Sequence, residues 1–168
     1  MSRIERFPRF IWRLMRFLPP RIAYLLGLGA LVGHFILILE TTGRRSGHPR
    51  QTPLAYDEID GKIYVGSARG TRADWYKNLA CNPIAAVTIG ARRFYAHAEL
   101  ITDAHQIARF LELRIKRRPR MLGLIFKLAG LPAAPSPAEL EQYAAQRALV
   151  VLRPVKDETG RPVHPTPD

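Results

Sequence analysis

Short runs rich in apolar and β-branched residues, each closed by a turn signal, recur along the middle of this chain, and residues 92–101 also show some alternation of apolar and polar positions. Such runs predict β-strands, several of them buried. The Asp60-Gly61 pair is typical of a hairpin turn, and Gly90-Ala91 joins two further runs. Strands joined by hairpins favour an antiparallel barrel or sheet over a parallel doubly wound fold. The predicted strands are residues 35–41, 50–59, 62–67, 84–90, 92–101 and 148–154.

Three other segments carry helix signals. Acidic or hydroxyl side chains at a helix N-terminus accept hydrogen bonds from the free backbone N–H groups there. The clearest case is Ser136, which forms a capping box with Glu139 and has Pro137 at the first helical position. The predicted helices run from about Asp74 to a stop at Asn82-Pro83, from Thr102 or Asp103 to an interruption at Pro119, and onward from Ser136.

The first twenty residues combine arginines with apolar residues at spacings of three and four. On a helix this spacing places a basic face opposite an apolar face, and Pro19-Pro20 would end the helix. A basic amphipathic helix either lies on an anionic membrane surface or packs on its own domain or a partner subunit. The sequence leaves both interpretations open. The arginines throughout this segment do not match a secretory signal.

Residues 22–39 are mostly apolar but end in the stretch HFILILETT, which is typical of a buried strand. We therefore divide them into a short helix and a strand instead of a membrane span. The proline-rich, polar C-terminal segment predicts a flexible tail. The predicted organisation is an N-terminal amphipathic helix and linker (residues 1–33), a barrel domain (34–154) and the tail (155–168).

Charge narrows the range of partners. The chain has 168 residues, of which 26 are basic and 14 acidic, so its formal net charge is +12. A field of that sign attracts nucleic acid, an anionic membrane surface or a phosphorylated small molecule. The single cysteine, Cys81, excludes an internal disulfide and a cysteine-based metal site, and it suits a reducing compartment. The five histidines show no i, i+4 pairing, so no metal site is predicted.

The sequence lacks the phosphate-loop lysine motif, G-x-G-x-x-G and G-x-S-x-G. We therefore expect a cofactor to carry the chemistry of any reaction. The strongest binding signal is TGRRSGHPR at residues 42–50, with three arginines and two glycines on one predicted turn. Backbone N–H groups of such a turn can form a nest for an anion, and arginine pairs with phosphate as a bidentate fork. The alternative is a solvated hairpin.

Taken in order, the segments resemble the deazaflavin-dependent nitroreductase family, the split β-barrel oxidoreductases that use coenzyme F-420 (F420). The resemblance covers about residues 34–154. It implies a mainly β domain with appended helices (α+β), built on a six-stranded antiparallel split β-barrel like that of FMN-binding proteins, and often a homodimer. The matching motifs are L-x-T-T-G-R-R-S-G-x-P-R-x-T-P-L at 39–54, V-G-S-A-R-G at 65–70, D-W-Y-x-N-L-x-x-N-P at 74–83, V-x-x-G at 87–90 and R-x-L-V-V-L-x-P at 147–154.

The resemblance implies an oxidoreductase that transfers a hydride from reduced F420 to a quinone, a nitro compound or an activated double bond. Its ligands would be the anionic coenzyme and a small-molecule acceptor, with FMN the less favoured cofactor. The phosphate and acidic tail of F420 suit a protein of charge +12 with an arginine-glycine turn. The protein would be cytoplasmic, and peripheral on the inner face of the cell membrane if residues 1–20 bind lipid.

Carried over position by position, the resemblance implies a cofactor site on several segments. The arginine turn would bind the phosphate and acidic tail, the residues after it would line the deazaflavin ring, and the segment from Gly66 would face the ring edge or ribityl chain. A short helix would close the pocket, and Tyr143 would orient substrate, although it lies closer to Arg147 than in typical members. The implied cofactor residues are Arg44, Arg45, Ser46, Gly47, Arg50, Thr52, Pro53, Leu54, Gly66, Ser67, Ala68, Arg69, Trp75, Tyr76 and Asn78.

Two alternatives stay open at this point. One is a barrel that binds FMN or haem in place of F420. The other is a non-enzymatic anion or nucleic-acid binder. It is less favoured because, apart from Arg92, Arg93, Phe94 and Tyr95, the middle of the chain does not interleave aromatic residues with a basic strand face. Residues 114–137 are longer and more basic than in typical family members.

Overall fold

The computed structural model describes residues 36–117, 119–128, 130–157 and 160–163. Neighbouring strands are antiparallel, and their order β1-β2-β3-β6-β5-β4 closes on itself because β4 pairs back with β1. This confirms the predicted mainly β fold with appended helices. The strands are β1 (Ile36–Thr42), β2 (Pro49–Ile59), β3 (Lys62–Ser67), β4 (Ile84–Ile89), β5 (Arg92–Ile101) and β6 (Ala148–Pro154).

Alternate side chains of several strands point into the barrel interior, as the pleat of a strand requires. In β1, for example, Leu37, Leu39 and Thr41 are buried, while the residues between them are more exposed. Strand β6 departs most from this alternation, because five consecutive residues from Ala148 to Leu152 are buried. One face of β6 lines the barrel and the other lies under helices.

The helices confirm the predicted N-termini. The carboxylate of Asp103 accepts a 2.7 Å hydrogen bond from the N–H of Gln106. Ser136 and Glu139 form the reciprocal capping box, with Pro137 at the start of the helix. The helical elements are α1 (Asp74–Cys81), α2 (Ala104–Arg117), α3 (Pro119–Leu128), α4 (Pro137–Ala144) and a 3-10 turn at Gly70–Arg72.

Helix α3 is the element that the sequence analysis did not predict. The sequence indicates only an interruption at Pro119, whereas in the structure a new helix begins there. Proline is tolerated in a first turn because the N–H groups of that turn have no intrahelical acceptor. Leu122 and Phe126, four residues apart, are each 1% exposed, so α3 contributes a buried face to the domain.

Helices α2, α3 and α4 share a second hydrophobic cluster with the outer surface of the barrel. The ring of Tyr64 in β3 stacks on Phe110 in α2, with ring centroids 4.9 Å apart. Arg114 of α2 forms a 2.7 Å ion pair with Asp57 of β2. These contacts hold α2 against the hairpin of β2 and β3, whose other ends border the candidate site.

The described part of the predicted C-terminal tail is hydrogen-bonded to the barrel. The N–H of Val155 donates to the carbonyl of Tyr95, and the N–H of Tyr95 donates to the carbonyl of Val163, both at 2.9 Å. The predicted amphipathic helix in residues 1–20 and the helical part of 22–39 lie outside the described residues. No helix in the described ranges combines the length and the apolar character that crossing a bilayer requires.

Candidate functional site

The ladder between β2 and β3 covers only one end of these strands, because it stops at the pair Tyr56–Val65. Beyond that pair, the ladder of β2 is with β1 and the ladder of β3 is with β6. No ladder joins residues 52–55 to residues 66–68, and we call this unpaired stretch of the barrel wall the β2–β3 split. Pro53 lies on its β2 border, where a residue without an N–H costs no ladder bond to β3.

The turn between β1 and β2 is tightly closed at one end of the split. We call residues 43–48 the arginine turn. The N–H of Gly43 donates to the carbonyl of His48 at 2.8 Å, and the N–H of Gly47 donates to the carbonyl of Gly43 at 2.8 Å. A Cβ at Gly43 would lie 2.9 Å from Ser46 Oγ and 3.0 Å from His48 O, so a larger residue there would have to displace the turn.

Arg44 holds the arginine turn against α1. Its guanidinium donates to Asn78 Oδ1 at 3.1 Å and forms a 3.0 Å ion pair with Asp74 Oδ1. Its backbone N–H also donates to Asn78 Oδ1, at 3.2 Å. The hydrogen bond from Arg44 lowers the pKa of Asp74 below its ordinary value. The positive charge of Arg44 is thus matched by a carboxylate within the protein.

Arg45 and Arg50 have a different environment. Both side chains are exposed, and among the residues that the structure describes neither forms a hydrogen bond or an ion pair. Arg50 lies on β2 two residues before Thr52, at the β2 border of the split. These two arginines can therefore offer their charge to an anion without breaking an internal contact.

The β3 border of the split is held by the junction of α4 and β6. The Ser67 hydroxyl donates to the carbonyl of Gly70 at 2.7 Å. Gly70 has φ +56°, and a Cβ there would lie 3.0 Å from the carbonyl oxygen of Gln146. Arg147 Nη1 donates to the carbonyl of Ala68 at 2.7 Å. Gly66, Ala68 and the neighbouring Arg69 are exposed, whereas Ser67 is buried.

Side chains from α1 and β2 close the barrel beside the split. Trp75 and Tyr76 are 9% and 6% exposed and belong to the barrel core, against which Leu54 of β2 also packs. Their rings meet edge to face, 6.2 Å apart. Burial raises the pKa of the Tyr76 hydroxyl, so this group is a neutral donor at ordinary pH. Thr52 and Leu54 are half-buried, whereas Pro53 between them is exposed.

Tyr143 lies in the helical cluster on the outside of the barrel. Its ring packs edge to face on Phe126 of α3, with centroids 5.8 Å apart. The guanidinium of Arg147 lies 4.3 Å from the centroid of the same ring. Tyr143 therefore connects to the split through Arg147, which in turn contacts Ala68.

Three residues of this arrangement do not appear among the predicted site residues. They are Thr41, whose hydroxyl accepts a 3.1 Å hydrogen bond from Asn78 Nδ2, Asp74 and Arg147. Asp74 and Arg147 stand in the motifs that carry the resemblance, but nothing in their spacing indicates which side chains they meet. In the described part of the chain, no group of three or more potential metal ligands comes together.

Comparison with known proteins relates this chain to one family. A family model described as F420H(2)-dependent quinone reductase matches residues 27–121. The F420H(2)-dependent quinone reductases Rv1261c and MT1299 of two Mycobacterium tuberculosis strains are each 37% identical to this chain over 78 residues, which is 40% of this chain and 52% of the relative. The chain thus spans about half the length of the curated relatives it matches.

Solved structures resemble the barrel at low sequence identity. One is a candidate 5-nitroimidazole antibiotic resistance protein from Bacteroides thetaiotaomicron. The match spans 73% of this chain and 74% of that protein, at 11% identity and a TM-score of 0.51. Another is an F420-H2 dependent reductase, FDR-A. The match spans 70% of this chain and 93% of that protein, at 20% identity and a TM-score of 0.48. At 11% identity, the likeness to the Bacteroides protein concerns the fold alone.

Proposed function

The chain belongs to the F420H(2)-dependent quinone reductase family, and we propose that it transfers a hydride from reduced coenzyme F420 to a quinone. The observation that carries the proposal is the β2–β3 split with two unengaged arginines at one end. An apolar wall beside an anion-binding turn is what a ligand with a flat ring and an acidic tail requires. Nitro compounds and activated double bonds are further acceptors within the proposal.

The residues present fit F420 in charge and in shape. Its phosphodiester and polyglutamate tail are anionic, and Arg45, Ser46, Gly47 and Arg50 are exposed at the turn. We propose that these four hold the phosphate and tail, because a guanidinium pairs with phosphate or carboxylate as a fork. In the same proposal Thr52, Pro53 and Leu54 line the ring.

The β3 border would contact the ring edge or the ribityl chain. Gly66 and Ala68 are exposed and have little or no side chain, so their backbone is open to a ligand. Because the Ser67 hydroxyl is engaged with Gly70, we assign Ser67 a backbone contact only. Arg69 is exposed on the same turn and adds positive charge beside the site.

When bound, reduced F420 supplies the hydride. The protein's part is to bind, to orient and to exclude water, so no protein nucleophile is needed. Charge contacts at Arg45 and Arg50, remote from the reacting ring, supply the binding energy that positions it. Trp75 and Tyr76 would support the ring wall from within the core. We assign Tyr143 a supporting role: through Arg147 it holds the turn at residues 68–69, which we call the Ala68 turn. Water would supply the proton that completes the reduction.

Substitution of Arg45 by alanine tests the cofactor site. Each charge-assisted hydrogen bond contributes about 1.5–3 kcal/mol, so R45A should weaken F420 binding about tenfold or more. R50A should have an effect of the same kind. The measurement is fluorescence titration of F420 at fixed salt, with quinone reduction followed in parallel. R109A, in an exposed arginine of α2, is the matched control. Unchanged affinity in both R45A and R50A would refute the cofactor assignment.

We also propose that residues 1–20 bring the protein to an anionic membrane, where a lipid-soluble quinone is at hand. Support comes from the pattern of arginines opposite apolar residues in this segment. Basic residues near an anionic leaflet contribute about 1 kcal/mol each. Full-length protein should therefore cosediment with anionic vesicles at low salt, and protein that lacks residues 1–20 should stay in the supernatant with its F420 affinity retained. If full-length protein does not cosediment with the vesicles even at low salt, residues 1–20 pack on the protein itself or on a partner subunit instead.

A further inference from the structure

The three arginines of the 42–50 segment divide into one that is engaged within the protein and two that are not. Arg44 donates from its guanidinium to three acceptors on α1: Asn78 Oδ1, Asp74 Oδ1 and, at 3.5 Å, the Asp74 carbonyl. Its side chain is 23% exposed. Arg45 and Arg50 are exposed and make no such contact within the described residues.

Helix α1 is a firm platform for this contact. Trp75, Tyr76 and Leu79 are buried in the barrel core, so the inner face of α1 cannot move without disturbing that core. Asn78 is 4% exposed, and both ends of its amide are used: Oδ1 accepts from Arg44 and Nδ2 donates to Thr41 on β1. The arginine turn is thereby tied to the barrel at a point other than its own strands.

We infer that Arg44 is a positioning residue, which ties the arginine turn to α1 through Asp74 and Asn78, while Arg45 and Arg50 contact the coenzyme. The inference rests on the proposed function for its cofactor part. Its physical reason is preorganisation, since a turn already fixed beside the split loses less freedom when an anion binds. In this role the Asp74 carboxylate, although negatively charged itself, assists the binding of an anion by fixing Arg44.

The sign of one substitution separates this role from a direct contact. If Arg44 contacts the phosphate itself, removing the Asp74 charge frees its guanidinium and lowers local repulsion, so D74N should bind F420 more tightly. If Arg44 ties the turn to α1, D74N loosens the turn and gains nothing beyond the general effect of one fewer negative charge. E141Q, in an exposed glutamate of α4, makes the same change of charge away from the site.

The first measurement is amide hydrogen exchange of residues 43–48 without coenzyme. Exposed ion pairs contribute little to stability, so exchange of this segment should become faster by at most about fivefold in D74N. R44M, which also loses the bond to Asn78, should speed it about tenfold or more. E141Q should match the unmodified protein. Unchanged protection of this segment in both D74N and R44M would overturn the inference, whatever the coenzyme does.

The second measurement is the Kd for F420 in the same variants. We expect D74N to bind no more tightly than E141Q, and the double variant R44M/D74N to bind no more weakly than R44M alone. A lower Kd for D74N than for E141Q would overturn the inference in favour of direct contact. Failure of the unmodified protein to bind F420 would instead refute the proposed function, and the exchange result would still decide whether Arg44 fixes the turn.

Discussion

At the scale of single residues, Asn78 joins three parts of the site through one buried amide. It accepts from the backbone and side chain of Arg44 and donates to Thr41, so α1, the arginine turn and β1 meet at one side chain. A buried amide must have its hydrogen bonds satisfied, and here every partner belongs to the frame of the split. The functional consequence is that α1 fixes the arginine turn from outside its own strands.

The shifted pKa of Asp74 leads to a prediction about how the stability of the fold depends on pH. Its pKa is lowered in the folded protein, chiefly by the hydrogen bond from Arg44. A carboxyl with a lowered folded pKa stabilises the fold above its unfolded pKa, and that contribution is lost as pH falls through the folded value. As pH falls below about 4, the ordinary range of an aspartate carboxyl, the free energy of unfolding should therefore fall less steeply in D74N than in the unmodified protein.

Urea unfolding across that pH range is the measurement. The pKa of Glu139 is also lowered, by its hydrogen bonds to Ser136, so D74N should remove only part of the acid sensitivity. E141Q is again the control for the loss of one carboxyl. A pH profile of D74N that is as steep as that of E141Q would contradict the role given to the Arg44–Asp74 pair.

At the scale of elements, the junction between α4 and β6 supports the β3 border of the split. Arg147 packs on the Tyr143 ring of α4 and donates to the carbonyl of Ala68, and the carbonyl of Gln146 lies close to Gly70. The end of a helix outside the barrel thus holds the turn that the proposed function places at the ring edge.

R147M tests this support, because methionine keeps much of the length of arginine without its hydrogen bond. A hydrogen bond from a charged donor contributes about 1.5–3 kcal/mol, so R147M should lower the free energy of unfolding by about that amount. The measurement is urea denaturation, with R109M as a surface control on α2. An unfolding free energy equal to that of R109M would mean that the junction holds the Ala68 turn without Arg147.

At the scale of the whole molecule, the net charge of +12 acts together with the arginine turn. F420 carries acidic groups on its tail that FMN lacks, so the protein should bind F420 more tightly than FMN. Because part of that difference in affinity comes from exposed charges, raising the salt concentration should reduce the difference. Titration of both cofactors at about 0.05 M and 0.5 M salt measures the two affinities. Equal affinities at the lower salt would favour the FMN-binding alternative.

The sequence by itself determined the strands, most helix ends and the turn chemistry. These depend on local rules: the apolar, β-branched run of β1, the capping box at Ser136 and the glycines of the arginine turn. It did not determine α3, because Pro119 is compatible both with the end of one helix and with the first turn of the next. The burial of Leu122 and Phe126 in a shared core decided between them.

Only the tertiary structure decided which residues share a surface and which charges are already used. Arg44 and Arg45 are adjacent and chemically identical in the sequence, yet Arg44 meets Asp74, thirty positions later, while Arg45 stays exposed. The opening between β2 and β3 likewise depends on where their ladder stops, at Tyr56 and Val65. These pairings between residues far apart in the sequence form when the barrel closes. Local sequence patterns cannot identify them, because such patterns depend only on neighbouring residues.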